Sequence, residues 1–210
     1  MRISRPLGAL AGATLFLMPL QALAASNADP DWPCQQRKVP QLSLGQVWNG
    51  PEPPASAKEW SHDRTISALV EEISARRVPL AEAQQRVRDF AANLPPDQLE
   101  PKLLTLMQGL FDHMDADRSQ VISGIGRYAR KQIDMAAYLR KESAEVDALR
   151  AKADANPEDF DRRTQQFDWD TRVYQERVQS LTYVCDVPTI IEQRLYQLSK
   201  TIAEALAPKK

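Results

Sequence analysis

The chain has 210 residues, of which 43% are hydrophobic and 26% are charged, and its formal net charge is −1. This near-neutral balance gives no sign of the basic face that nucleic acid or an anionic membrane would require, so neither is an expected partner. Gly is scarce, with 7 residues, whereas Ala, Glu, Gln, Arg and Leu are abundant. The composition favours helix throughout and predicts an all-α fold.

Residues 1–24 have the features of a cleaved secretory signal peptide. Arg2 and Arg5 precede an apolar run over residues 6–20, and Ala22 and Ala24 stand where a signal peptidase requires small residues. The run is too short for a typical membrane span, which makes a retained anchor the less favoured alternative. Cleavage would take the net charge to about −3. We expect a periplasmic protein of Gram-negative type, without an integral membrane segment after cleavage.

Cys34 and Cys185 are the cysteines of the chain. In an exported protein, an even pair predicts a disulfide. The bond would close a loop of about 150 residues and, on the chain-entropy model, stabilise the fold by about 5 kcal/mol. Two free thiols or a redox pair are the alternative, but neither cysteine has the Cys-x-x-Cys setting that lowers a thiol pKa.

Residues 25–57 are predicted to form an extended arm laid along the helices, because closely spaced prolines exclude a long helix. Trp32 and Trp48 would anchor this arm, and Cys34 would tie it covalently. A disordered stalk with one covalent tie is the alternative. The prolines are Pro30, Pro33, Pro40, Pro51, Pro53 and Pro54.

Residues 58–96 predict a small helical pair. Ser61 is in a position to cap the first helix, which would end near Arg76 and Arg77. Pro79 would open the second helix, and Pro95 and Pro96 would stop it. We expect the pair to pack at the base of a longer structure formed by residues 97–210, so that residues 58–210 make one helical domain.

Residues 97–210 predict a long antiparallel helical hairpin resembling a coiled coil. From Lys102 to about Asp154, apolar residues return at steps of three and four, which indicates one very long helix or two nearly continuous ones. The Asn156-Pro157 pair marks a turn, after which a second apolar seam runs back. Gln132 and Glu142 fall at seam positions and make the heptad imperfect.

Gly124, Gly126 and Pro188 predict a hinge. With the turn at the Asn-Pro pair, Pro188 lies opposite Gly124. Each Gly costs about 1 kcal/mol of helix stability relative to Ala, and Pro188 should break the partner helix at the same level. Alternatively, the glycines make room for Tyr128 or Tyr183.

One acidic segment resembles the start of an EF-hand calcium loop. Asp115, Asp117 and Ser119 supply oxygens at relative positions one, three and five. Gln120 stands where the loop needs Gly, and Gly126 stands where it needs a bidentate Glu. No cofactor or metal is therefore expected, and the favoured interpretation of this segment is an exposed acidic turn of helix or a short break between two helices.

The remaining candidate site is a surface for another protein. Trp169 and Val173 fall off the returning seam and should face outward, although a neighbouring helix or a second copy would cover them in an alternative arrangement. Exposed Trp is a common binding anchor, and Trp32 and Trp48 are added as further candidates.

The sequence therefore predicts a non-enzymatic, exported protein that binds a periplasmic partner as a scaffold, chaperone or assembly factor, or that associates with itself. We find no Gly-rich phosphate loop in the sequence, and no nucleophile can be tied to His62 or His113. The alternative is a periplasmic sensor that binds a small ligand or metal through Asp115 and Asp117.

Overall fold

The computed structural model describes residue 29, residues 31–154 and residues 156–207. The predicted signal peptide, residues 1–24, lies outside this part of the chain. The described residues form helices and no strand, which confirms the all-α prediction. In chain order the elements are α1 (Leu44–Val47), a 3-10 helix (Ala55–His62), α2 (Arg64–Ser74), α3 (Leu80–Ala92), α4 (Pro96–Arg150) and α5 (Pro157–Leu206).

The two long helices, α4 with 55 residues and α5 with 50, pair as an antiparallel hairpin. At 1.5 Å per residue, α4 is about 80 Å long. Asn156 caps α5 by accepting hydrogen bonds from the backbone N–H groups of Glu158 and Asp159 at 2.9 and 3.4 Å. Pro157 follows at the first helical position, where its missing N–H leaves no bond unmade. The predicted long helix and turn are confirmed.

Pro188 lies inside α5, and the helix continues through it. The break that the sequence predicted at this position is therefore wrong. Pro188 is buried against the rest of the protein, and packing along a 50-residue helix outweighs the loss of one backbone hydrogen bond.

The small helices confirm the predicted pair but correct its capping residue. Ser61 belongs to the 3-10 helix, and the N-cap of α2 is Asp63. The carboxylate of Asp63 accepts hydrogen bonds from the backbone N–H groups of Thr65 and Ile66 at 3.0 and 3.1 Å. It also accepts a bond from Lys102 Nζ at 2.6 Å, which joins α2 to α4. Pro79 precedes the first residue of α3, as expected.

The hydrophobic core occupies one end of the hairpin. We call the half formed by residues 96–120 and 187–206 the proximal half, and the half formed by residues 121–150 and 157–186 the distal half. In the proximal half, α2, α3, α1 and the long helices enclose one cluster. Its fully buried members include Ile66, Val70, Ile73, Val87, Leu103, Leu106, Met107, Leu110, Leu195, Leu198 and Ile202.

The arm follows the hairpin from the distal half into the core. Cys34 and Cys185 form the predicted disulfide, with their Cα atoms 5.5 Å apart. Further along, the guanidinium of Arg118 donates to the backbone carbonyl of Val39 at 2.6 Å and to Glu192 of α5 at 2.6 Å. Arg118 is buried, so one side chain joins the arm to both long helices. The arm also contains α1 and the start of the 3-10 helix, which the sequence did not predict.

Candidate interaction surface

The predicted partner-binding tryptophans have very different surroundings. Trp169 on α5 is 59% exposed, and its neighbour Val173 is half-buried. Trp48 is only 7% exposed and belongs to the core cluster. Its indole N–H donates to the carbonyl of Pro51 at 2.7 Å. Trp48 thus anchors the arm, and its burial removes it from the candidate partner surface.

Trp32 is held within the arm. Its indole N–H donates to the carbonyl of Gln36 at 2.6 Å, and Lys38 Nζ lies 5.9 Å from its ring centroid. The side-chain amide of Gln36 donates in turn to the carbonyl of Cys185. Trp32 is half-buried, so part of its surface stays accessible beside the disulfide.

The distal half exposes further aromatic side chains that were not predicted as partner-binding residues. Tyr183 is 78% exposed, and Tyr138 is 40% exposed. The Tyr138 hydroxyl donates to Asp170 at 3.3 Å. Desolvation, followed by the nearby carboxylates of Glu142 and Asp170, raises the pKa of Tyr138. Tyr183 falls off the returning seam, as Trp169 does, so the same spacing could have identified it.

Ion pairs close the distal end. Arg163 of α5 contacts Glu142 at 3.3 Å and also pairs with Glu145, both on α4. Near the turn, the guanidinium of Arg150 lies 5.7 Å from the Phe160 ring centroid. The predicted seam position of Glu142 is therefore occupied by a carboxylate with a cation across the interface. These contacts hold the helix ends together with charged groups, which leaves this end hydrophilic.

The EF-hand-like segment is part of a continuous helix and does not form a calcium loop. Residues 115–119 lie in the middle of α4. Asp115 Oδ1 accepts the backbone N–H of Leu42 at 2.9 Å, and Ser119 Oγ donates to the carbonyl of Pro40 at 3.1 Å. Asp117 lies 3.8 Å from His113 Nε2. Two of the three candidate ligands thus bind the arm, and within the described residues we find no group of three or more His, Cys, Asp or Glu that could hold a metal ion.

The two glycines of the predicted hinge have different neighbours. A Cβ at Gly126 would lie 3.6 Å from the backbone oxygen of Asp31 in the arm. A Cβ at Gly124 would meet only Arg127 Nη2, at 3.8 Å. The arm therefore passes beside Gly126, and Asp31 pairs with Arg130 at 2.5 Å one turn further on. Both glycines lie in continuous helix, and motion at this level stays a prediction.

No protein-family model, curated protein or solved structure matches the chain. Among the described helices, none is both long enough and apolar enough to cross a membrane. The disulfide is the feature of the structure that fits an exported protein, because thiols stay reduced in most cytosols.

Proposed function

We propose that the protein is a non-enzymatic periplasmic protein, released by cleavage of residues 1–24, that binds another exported protein as a scaffold, chaperone or assembly factor. The observation that carries this proposal is the division of the hairpin. Its proximal half encloses the core, whereas its distal half exposes Trp169 and Tyr183 on a thin pair of helices.

Trp and Tyr provide much contact area with few rotatable bonds, and they are enriched among residues that dominate binding energies. The distal half therefore offers a binding surface held away from the core.

The test is crosslinking of the full exported chain in a periplasmic extract, with variants at the proposed surface. Trp169→Ala and Tyr183→Ala should each reduce the amount of partner that is captured. With the purified partner, each substitution should weaken the binding affinity by about tenfold. Tyr196→Ala is the matched control, because Tyr196 is 52% exposed but lies in the proximal half. It should leave capture unchanged.

Three outcomes would contradict the proposal. The first is that the protein captures no partner. The second is that the Trp169 and Tyr183 variants capture as much partner as the unchanged protein, and the third is that the Tyr196 variant loses as much capture as they do. Self-association is the remaining possibility, and sedimentation of the purified protein tests it. A dimer that requires Trp169 would identify a second copy as the partner.

A further inference from the structure

A groove of about 320 Å³ lies between α4 and α5 in the distal half. Pro33 of the arm forms one wall, and because Cys34 is bonded to Cys185, Pro33 lies at the end of the groove nearest the core. We call this feature the distal groove. The arm accompanies the hairpin on the core side of Pro33, and the distal groove lies beyond it.

The walls of the distal groove repeat at helical spacing. The α4 wall has lining residues at positions 129, 133, 136 and 140, and the α5 wall has them at 174, 178 and 181. Most are apolar, including Ile133, Tyr174, Val178 and Leu181. Positions 129 to 140 span about 16 Å, or three helical turns. A groove of this length, with steps of three and four on both walls, suits a third helix whose apolar residues have the same spacing.

Gln132 adds a polar requirement to this apolar groove. It lines the groove and is only 6% exposed, yet neither its Nε2 nor its Oε1 has a hydrogen-bond partner among the described residues. A buried amide with both groups unpaired is destabilising and uncommon in folded proteins. A hydroxyl or amide side chain from an occupant would provide the missing bonds.

The charge at the groove predicts the charge of the molecule that binds there. Arg140 is exposed and takes part in no ion pair within the part of the chain that the structure describes. The groove lining includes no carboxylate. An acidic side chain is therefore complementary to it, and a basic one is not.

We infer that the distal groove binds an acidic amphipathic helix of the partner protein, with apolar residues at steps of three and four, a polar residue opposite Gln132 and a carboxylate near Arg140. The inference rests on the proposed function, because it specifies the chemistry of the partner. It commits to a helix because both walls are helices that present side chains at regular intervals.

The probe is a fluorescein-labelled synthetic helix of about 18 residues, with Leu at steps of three and four, one Gln within that stripe and Glu on both flanks. A matched peptide carries Lys in place of every Glu. Fluorescence anisotropy with the oxidised full exported chain should show that the Glu peptide binds at least about tenfold more tightly than the Lys peptide. Equal binding of the two peptides, or no binding of the Glu peptide, would overturn the inference.

Variants then locate the site. Arg140→Glu should weaken binding of the Glu peptide by at least about tenfold, whereas Arg172→Glu, the same charge change at an exposed position of α5 outside the groove, should change it less than about threefold. Equal effects of the two substitutions would show that only overall charge matters, and would refute the site.

Gln132→Leu distinguishes a binding role from a purely structural one. Removing the unpaired amide should raise the melting temperature of the protein and weaken its binding of the Glu peptide by about tenfold. A variant that is more stable but binds equally well would assign Gln132 to structure alone and remove the polar requirement. Neither Trp169 nor Tyr183 lines the groove, so the two proposals can fail separately. If partner capture depends on these two residues but the Glu peptide does not bind, this inference is refuted and the proposed function is not.

Discussion

Single residues of α4 show how strongly local surroundings decide the effect of a small change. Gly109 is buried, and a Cβ there would lie 2.8 Å from Trp60 Cδ2 in the 3-10 helix. Gly109→Ala should destabilise the protein by about 1 to 3 kcal/mol, because the indole ring must shift. Gly124→Ala should stabilise it by about 1 kcal/mol, because the new methyl group would make only an ordinary contact with Arg127 Nη2, at 3.8 Å, and Ala favours helix.

Urea unfolding of the two glycine variants checks this pair of expectations. The two substitutions are chemically identical and lie in one helix, so each serves as the control for the other. A loss of stability at Gly124 would contradict the prediction, and it would indicate that this level of the helix needs the freedom of glycine, as the predicted hinge requires.

Asp63 is expected to make stability depend on pH. The hydrogen bond from Lys102 is the largest cause that lowers the pKa of this carboxyl, and the backbone N–H groups of Ile66 and Thr65 add to it. A lowered folded-state pKa means that the contribution is fully present above the unfolded value, near pH 4, and is lost as pH falls through the folded value.

Two substitutions separate the roles of Asp63. Asp63→Ala should cost about 1 kcal/mol at pH 7 through the lost cap. Asp63→Asn retains a capping oxygen and should cost less, and the stability of this variant should fall less than that of the unchanged protein as the pH is lowered below about 4. Melting temperatures measured across this range decide the matter. Parallel pH profiles for the Asp and Asn proteins would contradict the assignment.

At the scale of elements, the disulfide joins the arm to α5 across a sequence separation of 151 residues. On the chain-entropy model, replacing Cys34 and Cys185 by Ser should lower the free energy of unfolding by up to about 5 kcal/mol. The core should still form, because Trp48 and α1 remain packed in it. Thermal melting of the double variant, with the unchanged protein in oxidised and reduced form, measures the effect.

The reduced protein controls for the two substitutions themselves. Reduced unchanged protein and the double variant should melt together, well below the oxidised protein. Equal melting of oxidised and reduced protein would contradict the stabilisation that the chain-entropy model assigns to this disulfide.

The long elements could be predicted from sequence because their signals are local. Apolar residues at steps of three and four specify α4, and Asn156-Pro157 specifies its turn into α5. The cap at Asp63 was missed because Ser61 offers the same kind of oxygen two residues earlier. Asp63 also accepts a bond from Lys102, 39 residues away, and such a distant contact cannot be derived from the local pattern.

The candidate sites were harder to predict, because they depend on contacts between distant segments. Asp115 and Ser119 have the spacing of calcium ligands, but both bond to the arm, about 75 residues earlier in the chain. The apolar spacing predicts Gln132 on the seam. Its lack of hydrogen-bond partners can be identified only once both helices and Pro33 are in place.

At the scale of the whole molecule, the two halves of the hairpin differ in how much apolar surface they bury. The proximal half shares the core cluster with α2 and α3, whereas the distal half consists of two helices with Gln132 and Glu142 on their seam. Local opening takes least free energy where few apolar contacts are lost. The distal half should therefore open without unfolding the proximal half.

Native-state hydrogen exchange tests this difference. Backbone amides of residues 103–114 and 191–202 should exchange only through global unfolding, and those of residues 133–150 and 157–181 should exchange faster, through local opening. Gln132→Leu should slow exchange in the distal half and leave the proximal half unchanged, since it replaces an unpaired amide with an apolar side chain on the seam. Uniform exchange along both long helices would instead show one cooperative unit, and a partner would then bind a rigid rod.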